Sequence, residues 1–386
     1  MPFSLNRLIG SRHKVAFLFV IACLYGLGHW THNIASNNWL PDVVIDPTLK
    51  KKNADGPLIL KDDVLDKVLV GKTQLLQGAA LLGDAKDLFD QPIAKVEPTV
   101  PTEIEPTEAF LEKFREKATK VANSTDNFVL FSVINEAYLN LTQNFLCNVN
   151  ALRNGASIHK KMLLVALKPS TCKKIVKDWS TVTCVALEAD SVHNEDISWG
   201  KKAYVQILNF RATLLLELAK LDISFILFES DSIWFRAPFE LISNATVIDD
   251  ADIIIPINGY TGKEQFAFDP LVAFNTRATI DFFTEMRDRL KASPDAMDQK
   301  ILNELCATQY NGVVCRNFDW KDVADGKWFK MSERERKKFK PLIVNNNYYV
   351  GVKNKAARQA LNGLWFLSPK GICNTSKAKK ALAKWQ

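Results

Sequence analysis

The chain has 386 residues, of which 47% are hydrophobic and 24% are charged, so it has room for one large globular domain with accessory segments. Its formal net charge is +7, but lysine and arginine are concentrated only in MSERERKKFK and SKAKKALAKW and otherwise alternate with acids. No recognition motif of aromatic and basic residues accompanies those two runs, which favours solvated faces and argues against nucleic acid as a partner.

The N-terminal region predicts a membrane anchor. Arg7, Arg12 and Lys14 precede an apolar run over residues 15–30 that contains no acidic residue, lysine or arginine. The run is short for a plasma-membrane span but suits the thinner bilayers of the early secretory pathway. A cleaved signal peptide is the alternative, although no small-residue cleavage site follows. Positive charge before the span places residues 1–14 in the cytosol and the rest of the chain in the lumen.

Sequons and cysteines agree with a lumenal body. Four N-x-[ST] sequons occur, at Asn123, Asn140, Asn244 and Asn374. Seven cysteines, less Cys23 inside the predicted span, leave six, which permits three disulfides in fifteen possible pairings. Proximity suggests Cys172 with Cys184 and Cys306 with Cys315. No C-x-x-C or His–Cys cluster is present, which argues against metal binding by these cysteines.

Residues 31–125 are predicted to form a lumenal stem. They lack sustained hydrophobic periodicity, and the segment KVEPTVPTEIEPTEAF is rich in proline, threonine and glutamate. Such a composition buries too little apolar surface to order a chain. From residue 126 the pattern changes, and residues 126–386 are predicted to form one globular domain.

This domain begins with short β-rich runs that alternate with helical stretches. The predicted strands cover residues 127–134, 161–167, 181–187 and 223–228, and the predicted helices cover 138–154, a stretch after Pro169, and about 201–220. Because the strands are continuously apolar, we expect an α/β fold with a mostly parallel sheet covered by helices on both faces. Ligands bind at the carboxyl ends of strands in such sheets.

Two acids follow the last of these strands in the stretch ILFESDSIWF, at Glu229 and Asp231. Carboxylates at the end of a buried strand require a cation or hydrogen-bond donors. Mg²⁺ and Mn²⁺ prefer oxygen ligands and keep positions open for phosphate oxygens, so the pair is a candidate holder of a metal and a diphosphate. A loop whose acids cap the following turn is the structural alternative.

The surrounding stretch RATLLLELAKLDISFILFESDSIWFRAP resembles the signature of the nucleotide-diphospho-sugar transferase family, which includes plant cell-wall xylosyl- and arabinosyltransferases. The family pattern is a helix, a strand, D-x-D and V-W-L-x-x-P. The chain keeps Asp231, Trp234 and Pro238 but has Glu229 in place of the first aspartate. The resemblance extends over residues 126–370 through MDQKILNEL and IVNNNYYVGVKNKAARQALNGLWFL.

The resemblance implies a glycosyltransferase-A fold, which is a single Rossmann-like domain, here preceded by an anchor and a stem. It also implies transfer of a sugar from a nucleotide-sugar donor, most often a UDP-sugar, to a glycan acceptor, with Mn²⁺ or Mg²⁺ as cofactor. The expected location is the Golgi membrane, with the catalytic domain lumenal. The plant members favour retention of configuration over inversion.

The resemblance further implies roles for metal ligands and catalytic residues. Glu229 and Asp231 are the expected metal ligands, together with Asn345, where family members often have histidine. Asp298 and Gln299 form the D-Q pair that in similar retaining transferases lies beneath the anomeric carbon or binds the sugar's hydroxyls. An ordinary helix-capping aspartate is the alternative for Asp298.

Five further residues are expected to bind the donor. Asn135 and Tyr138 follow the first strand, where related folds hold the base, and Tyr138 either stacks on uracil or belongs to the core. Arg211 either orients the acidic turn or lies on a helix surface. Lys353 and Lys355 are expected to contact the diphosphate, where an ammonium stabilises charge on the leaving group.

Two other function classes remain open. One is a non-catalytic lumenal relative, lectin-like or scaffolding, which Glu229 and Asn345 favour because both depart from the family pattern. The other is a glycan phosphotransferase on a similar fold.

Overall fold

The computed structural model describes residues 103–242, 250–257 and 265–385. The predicted cytosolic tail and anchor, most of the predicted stem and the sequon at Asn244 lie outside these ranges. Within them, no helix combines the length and hydropathy that crossing a bilayer requires. The described residues fall within one compact unit, 96–386.

The first half of the described chain alternates helices and strands in the predicted order. Its elements are α1 Glu108–Asn123, β1 Phe128–Ile134, α2 Leu139–Asn150, α3 Gly155–Lys160, β2 Met162–Ala166, α4 Pro169–Asp178, β3 Thr183–Ala186, α5 Lys202–Lys220 and β4 Ser224–Leu227. Each of the four predicted strands therefore overlaps an observed strand.

Shorter elements follow the acidic turn. They are β5 Ile233–Trp234, α6 Phe239–Ile242, β6 Ile253–Pro256, β7 Leu271–Ala273, α7 Arg277–Ala292, α8 Asp298–Ala307, β8 Cys315–Phe318, β9 Val323–Ala324, α9 Glu333–Arg336, β10 Ile343–Val344, α10 Val352–Leu361 and α11 Thr375–Leu382. Short 3₁₀ turns lie at Ser191–Asn194, Tyr310–Gly312 and Gly326–Lys330.

Seven strands form the main sheet, in the order β3-β2-β1-β4-β7-β6-β8. The first four of these strands run parallel to one another, and β8 runs parallel to β6. Strand β7 is antiparallel to both of its neighbours. The predicted α/β fold with a mostly parallel sheet is thus confirmed. A second sheet, β5-β10-β9, pairs Trp234 with Ile343 beyond the acidic turn.

Helices cover both faces of the main sheet and create two hydrophobic cores. Successive side chains of a strand point to opposite faces, so Leu130 and Ile134 of β1 pack into one core while Val129 and Phe131 pack into the other. All four are buried. This two-sided burial explains why the parallel strands are continuously apolar in sequence.

Helix α1 belongs to this body, although the sequence prediction placed its residues in the stem. Phe114, Ala118 and Val121 are buried at helical spacing on the face that meets the strands, and α1 contacts β1, β2 and β3. The predicted stem boundary at residue 125 is therefore too late. The apolar stripe escapes notice because charged residues fill the intervening positions and one of its members is only alanine.

Three disulfides close the described structure. They join Cys147 to Cys373, Cys172 to Cys184, and Cys306 to Cys315. The two pairs predicted from proximity are confirmed. The third pair connects α2 to the segment just before α11, across 226 residues of chain.

Candidate functional site

A cavity of about 900 Å³ lies beside the acidic turn that follows β4. A smaller inner cavity of about 120 Å³ adjoins it and is lined by Ser132, Ile134 and Asn135 at the carboxyl end of β1. Both cavities are lined by Tyr138, Tyr204, Arg211, Glu229 and Lys355. The site thus lies where ligands bind in parallel α/β sheets.

The acidic turn is held by hydrogen bonds that its backbone amides donate. The amide of Phe228 donates to the carbonyl of Phe131 in β1 at 3.0 Å, which continues the strand pairing. The amide of Glu229 then donates to Asp269 Oδ1 at 2.7 Å, and the amide of Ser232 closes the turn onto the Glu229 carbonyl at 3.1 Å. The Asp231 side chain is 2% exposed and that of Glu229 is 38% exposed.

Asp231 forms an ion pair with Lys355 of α10. We call this pairing the lysine arm. Gln359, one turn further along the same helix, donates to the Asp231 carbonyl at 2.6 Å. The ammonium lies 5.6 Å from the centre of the Tyr138 ring. Although burial opposes its charge, Asp231 and the nearby Tyr138 and Glu229 groups raise the pKa of Lys355 above its ordinary value. The ion pair therefore favours the charged form of the lysine.

A second pairing, the arginine arm, joins Arg211 of α5 to two acids. Its guanidinium pairs with Asp298, the first residue of α8, and lies 3.4 Å from Glu229 Oε1. It also lies over the Phe268 ring at 4.7 Å. Burial opposes its charge, but the carboxylates of Asp298 and Glu229 raise the pKa of Arg211 further above its ordinary value. The alternative of a solvent-facing helical arginine does not hold.

Asn345 and Asp269 complete the inner wall of the turn. Asn345 Nδ2 donates to the carbonyl of Asp269, while Asn345 Oδ1 is buried and has no hydrogen-bond partner among the described residues. Asp269 is buried as well. Sequence reasoning missed it, although its position immediately before the apolar run of β7 resembles the acids that follow β4.

Negative charge exceeds positive charge at this site. The four carboxylates described above outnumber the two cations that contact them. Burial, and after it the charge of Asp231, raises the pKa of Glu229, while burial and the charge of Glu229 raise the pKa of Asp269 well above its ordinary value. A bound dication would offset the same excess that these raised pKa values reflect.

The donor set fits a divalent metal that prefers oxygen. Glu229 and Asp231 offer carboxylates, and Asn345 offers an amide oxygen that is buried and free. Within the described ranges, no group of three His, Cys, Asp or Glu residues could hold a metal. Lys355 also occupies one oxygen of Asp231. Glu229, Asp231 and Asn345 are therefore the residues that would hold such a cation, and Lys355 would be its neighbour on Asp231.

Asn135 builds the site instead of facing a ligand with a free amide. Its Nδ2 donates to the carbonyls of His193 and Glu195 at 3.0 and 2.9 Å, and its Oδ1 accepts from the Tyr138 amide at 3.1 Å. These bonds fix the loop after β3 against the end of β1. Tyr138 lines both cavities, and burial raises its pKa to about 12.

The D-Q pair and the two lysines occupy different environments. Asp298 is the first residue of α8 rather than its cap, which is Met297, and it accepts from the Gln299 amide at 2.7 Å. Gln299 lines the outer cavity. Lys353 is exposed and does not line either cavity, whereas Lys355 lines both.

Arg358 is a further residue that sequence reasoning missed. It is 5% exposed, donates to Asn346 Oδ1 at 2.6 Å and to the Asn347 carbonyl at 2.7 Å, and stacks on the Tyr349 ring at 4.0 Å. Burial lowers its pKa from the ordinary value. Its spacing of three residues from Lys355 on one helix, which places both side chains on one face, is the signal that could have identified it.

Several solved glycosyltransferase structures resemble the chain at low sequence identity. GlyE of Streptococcus pneumoniae TIGR4 is 12% identical, with 67% of this chain and 62% of GlyE covered and a TM-score of 0.39. Mouse xyloside xylosyltransferase 1 is 10% identical, with 58% and 99% covered and a TM-score of 0.36. The galactosyltransferase LgtC, solved with donor and acceptor sugar analogs, is 11% identical, with 67% and 96% covered and a TM-score of 0.41.

These likenesses are too loose to carry residue roles from one protein to the other, and the chain spans only 62% of the length of GlyE. No curated protein sequence matches the chain. The sequence of residues 157–359, however, matches the family described as nucleotide-diphospho-sugar transferase. That match covers more than half of the 386 residues and contains both the acidic turn and Lys355. The chain therefore belongs to the nucleotide-diphospho-sugar transferase family.

Proposed function

We propose that this protein is a metal-dependent glycosyltransferase of the glycosyltransferase-A type, which moves a sugar from a nucleotide-diphosphate donor to a glycan acceptor. One observation carries the proposal: three sequence motifs that are far apart converge on one cavity. These are the acidic turn at 229–231, the D-Q pair at 298–299 and the segment at 345–355. We propose a UDP-sugar as the donor, as is most common in this family.

The donor's diphosphate would bind beside the lysine arm. Mn²⁺ or Mg²⁺, held by Glu229, Asp231 and Asn345, would neutralise charge on the phosphate oxygens. Lys355 is already cationic and lines the cavity, so its ammonium can transfer from Asp231 to a phosphate oxygen. There it would stabilise the charge that develops as the nucleoside diphosphate leaves.

The transferred sugar would lie beside the arginine arm. Arg211 fixes the Asp298 carboxylate in one orientation, and a fixed anion stabilises the positive character that the anomeric carbon gains in the transition state. Gln299, which lines the same cavity, would bind a sugar hydroxyl. The donor's base would occupy the inner cavity against the Tyr138 ring, and the family resemblance favours retention of configuration.

We infer further that the chain is a type II membrane protein of the Golgi with a lumenal catalytic domain. The asparagines of three sequons, Asn123, Asn140 and Asn374, are exposed, which supports a lumenal location. Three disulfides support an oxidising compartment. When a reporter is fused to the C-terminus, the reporter should lie in the lumen and the fusion protein should carry glycans that endoglycosidase removes. An unglycosylated fusion protein with a cytosolic reporter would contradict the inference.

The central test combines donor turnover with nucleotide binding. The wild-type protein, supplied with UDP- and GDP-sugars and Mn²⁺, should release nucleoside diphosphate and bind UDP in a Mn²⁺-dependent manner by calorimetry. Asp231→Asn removes one negative charge from the proposed metal site. Losing a direct metal ligand should cost several kcal/mol of leaving-group stabilisation, which at about 1.4 kcal/mol per tenfold lowers the rate on the order of a hundredfold or more. Asp250→Asn is the matched control, because Asp250 pairs with Arg316 on the surface.

The outcomes separate the candidate functions. Unchanged UDP affinity in folded Asp231→Asn protein would refute the metal-site assignment. A non-catalytic relative would bind UDP or glycan without releasing nucleotide. The pairing of Lys355 with Asp231 favours this alternative, because it neutralises Asp231 without a metal. A glycan phosphotransferase would release a nucleoside monophosphate instead of a diphosphate.

A further inference from the structure

Exposed apolar side chains are concentrated in the lining of the outer cavity. Seven large apolar residues are exposed in the part of the chain that the structure describes, and four of them line this cavity: Trp199, Tyr348, Tyr349 and Val350. Trp199 is 66% exposed and Val350 is 57% exposed. We call these four residues the aromatic rim. Exposed apolar side chains that cluster at a cavity mark a binding surface, whereas scattered ones need no explanation.

The rim is held in place by the loops that carry it. Trp199 lies on the loop after β3, and the other three residues lie between β10 and α10. Asp196 of the first loop accepts from the Val352 amide of the second segment at 2.9 Å. Arg358 stacks beneath Tyr349 at 4.0 Å. A hydrogen bond therefore joins the two segments that carry the rim, and Arg358 supports Tyr349 within the second segment.

The remainder of the cavity lining combines apolar residues, such as Phe268 and Met297, with charged and amide side chains. Its three cations, Arg211, Lys300 and Lys355, equal in number its three anions, Glu229, Asp298 and Glu304. Side-chain amides such as Gln265 and Gln299 also line it and offer both donors and acceptors. A ligand of the rim therefore meets apolar side chains and amide groups, and the lining has no excess of positive charge that would select an anionic ligand.

We infer that the aromatic rim is the acceptor subsite and that it takes an uncharged saccharide, stacked by its apolar C–H face on Trp199. A pyranose ring has such a face and carries hydroxyls around its edge, so it matches an apolar wall beside polar amides. This inference rests on the proposed function, in which the floor of the same cavity holds the donor. The cavity volume of about 900 Å³ lies toward the large end of small-molecule sites and leaves room for both ligands.

The test measures binding of defined saccharides to the full chain. Methyl glycosides of xylose, arabinose, galactose and glucose, and methyl glucuronide as the charged counterpart of the glucoside, are examined by saturation-transfer NMR with UDP and Mn²⁺ present. At least one neutral glycoside should bind through its C–H face, and the glucuronide should bind more weakly than the glucoside. Trp199→Ala should weaken binding roughly five- to a hundredfold, the range for losing one aromatic stacking contact, and Trp199→Phe should restore part of it.

Ile372→Ala is the matched control, because the exposed fraction of Ile372, 64%, is similar to the 66% of Trp199, and Ile372 lies outside the cavity lining. It should leave glycoside binding unchanged. The assignment is overturned if no neutral glycoside binds, if binding is indifferent to Trp199→Ala, or if the glucuronide binds as well as the glucoside.

The same variants separate this inference from the proposed function. Trp199→Ala should retain Mn²⁺-dependent UDP binding by calorimetry, which also shows that the protein is folded. If the wild type binds no UDP while a neutral glycoside still binds through Trp199, the transferase proposal fails and the saccharide subsite stands. If UDP binds and glycoside binding ignores Trp199, the transferase proposal stands and the subsite assignment fails.

Discussion

The lysine arm and the arginine arm both place a cation against carboxylates beside the cavity, but they are built differently. Arg211 extends from the middle of a 19-residue helix and spans two carboxylates. Lys355 lies near the start of a 10-residue helix and pairs with one. An arginine fork that bridges two acids is geometrically specified, whereas an ammonium is a point charge that exchanges partners easily. The arginine arm is thus suited to position Asp298, and the lysine arm to release Asp231 to a ligand.

The largest expected effect comes from breaking the arginine arm. Arg211→Met should lower the free energy of unfolding by about 3–5 kcal/mol, because it leaves buried carboxylates without their cation. Urea denaturation measures this loss. Arg316→Met is the matched control, because Arg316 and Asp250 are both about half-exposed, and it should cost less than about 1 kcal/mol. Equal losses in the two variants would show that the arginine arm is no more structural than a surface pair.

Breaking the lysine arm should affect ligands more than stability. Lys355→Met should weaken UDP binding roughly tenfold or more, since a hydrogen bond to a charged group contributes about 1.5–3 kcal/mol. It should tighten binding of Mn²⁺ alone, because the metal no longer competes with an ammonium for Asp231. Calorimetry with each ligand measures both changes.

Lys353→Met is the control for this comparison, because it removes an exposed lysine from the same helix and should change neither affinity. Weaker Mn²⁺ binding in Lys355→Met would contradict the exchange of Asp231 between lysine and metal.

Glu229 contacts the arginine arm and is also a proposed metal ligand, so its substitution gauges how far the two arms are independent. Glu229→Gln should lower donor turnover by less than about tenfold, because Arg211 keeps its closer partner Asp298 and Asp231 stays intact. Steady-state release of UDP measures it, with Glu304→Gln elsewhere in the cavity lining as the control. A loss as large as that of Asp231→Asn would make Glu229 an equal metal ligand.

The smallest expected effect concerns Asp269 and pH. Its folded-state pKa is raised, so between the unfolded and folded pKa values the folded protein binds more protons, and stability falls as pH rises through that window. Asp269→Asn should therefore raise the melting temperature by a few degrees at pH 7.5 and by less at pH 5. Its amide oxygen can still accept from the Glu229 amide.

Differential scanning calorimetry at both pH values, with and without Mn²⁺, checks this prediction. The metal should reduce the gain, because a dication stabilises the ionised carboxylate. Destabilisation at pH 7.5 without metal would show that the Asp269 charge is already compensated.

Strand positions could be predicted because a strand buried on both faces must be apolar throughout, as β1 and β2 are. The direction of β7 could not, because this strand has only three residues and its apolar run is too short to be identified from the sequence. The reversal of β7 therefore went unpredicted, and with it the position of Asp269, which comes before that strand. Only an antiparallel neighbour brings the start of its strand to the edge where β4 ends.

Most residues of the cavity floor could be identified because the family motifs carry them, but motifs do not give orientation. Lys353 and Lys355 are equivalent in the motif. Because residues two apart on a helix point in different directions, only Lys355 reaches Asp231. Asn135 lines the inner cavity, as expected for a residue near the base, but its amide nitrogen donates to the carbonyls of His193 and Glu195. Polar side chains serve backbone groups as readily as ligands, and only three-dimensional contacts distinguish the two uses.

The bond between Cys147 and Cys373 has a consequence for biosynthesis. A chain that emerges from the ribosome N-terminus first presents Cys147 together with Cys172 and Cys184, long before Cys373 exists. Trp385, buried against Trp328 at 5.0 Å between ring centres, is completed later still. The domain therefore cannot finish its core during early synthesis. The disulfide that spans the most residues is therefore also the last that can form. The loop of chain between Cys147 and Cys373 contains Arg211, Glu229, Asp231, Asp298 and Lys355.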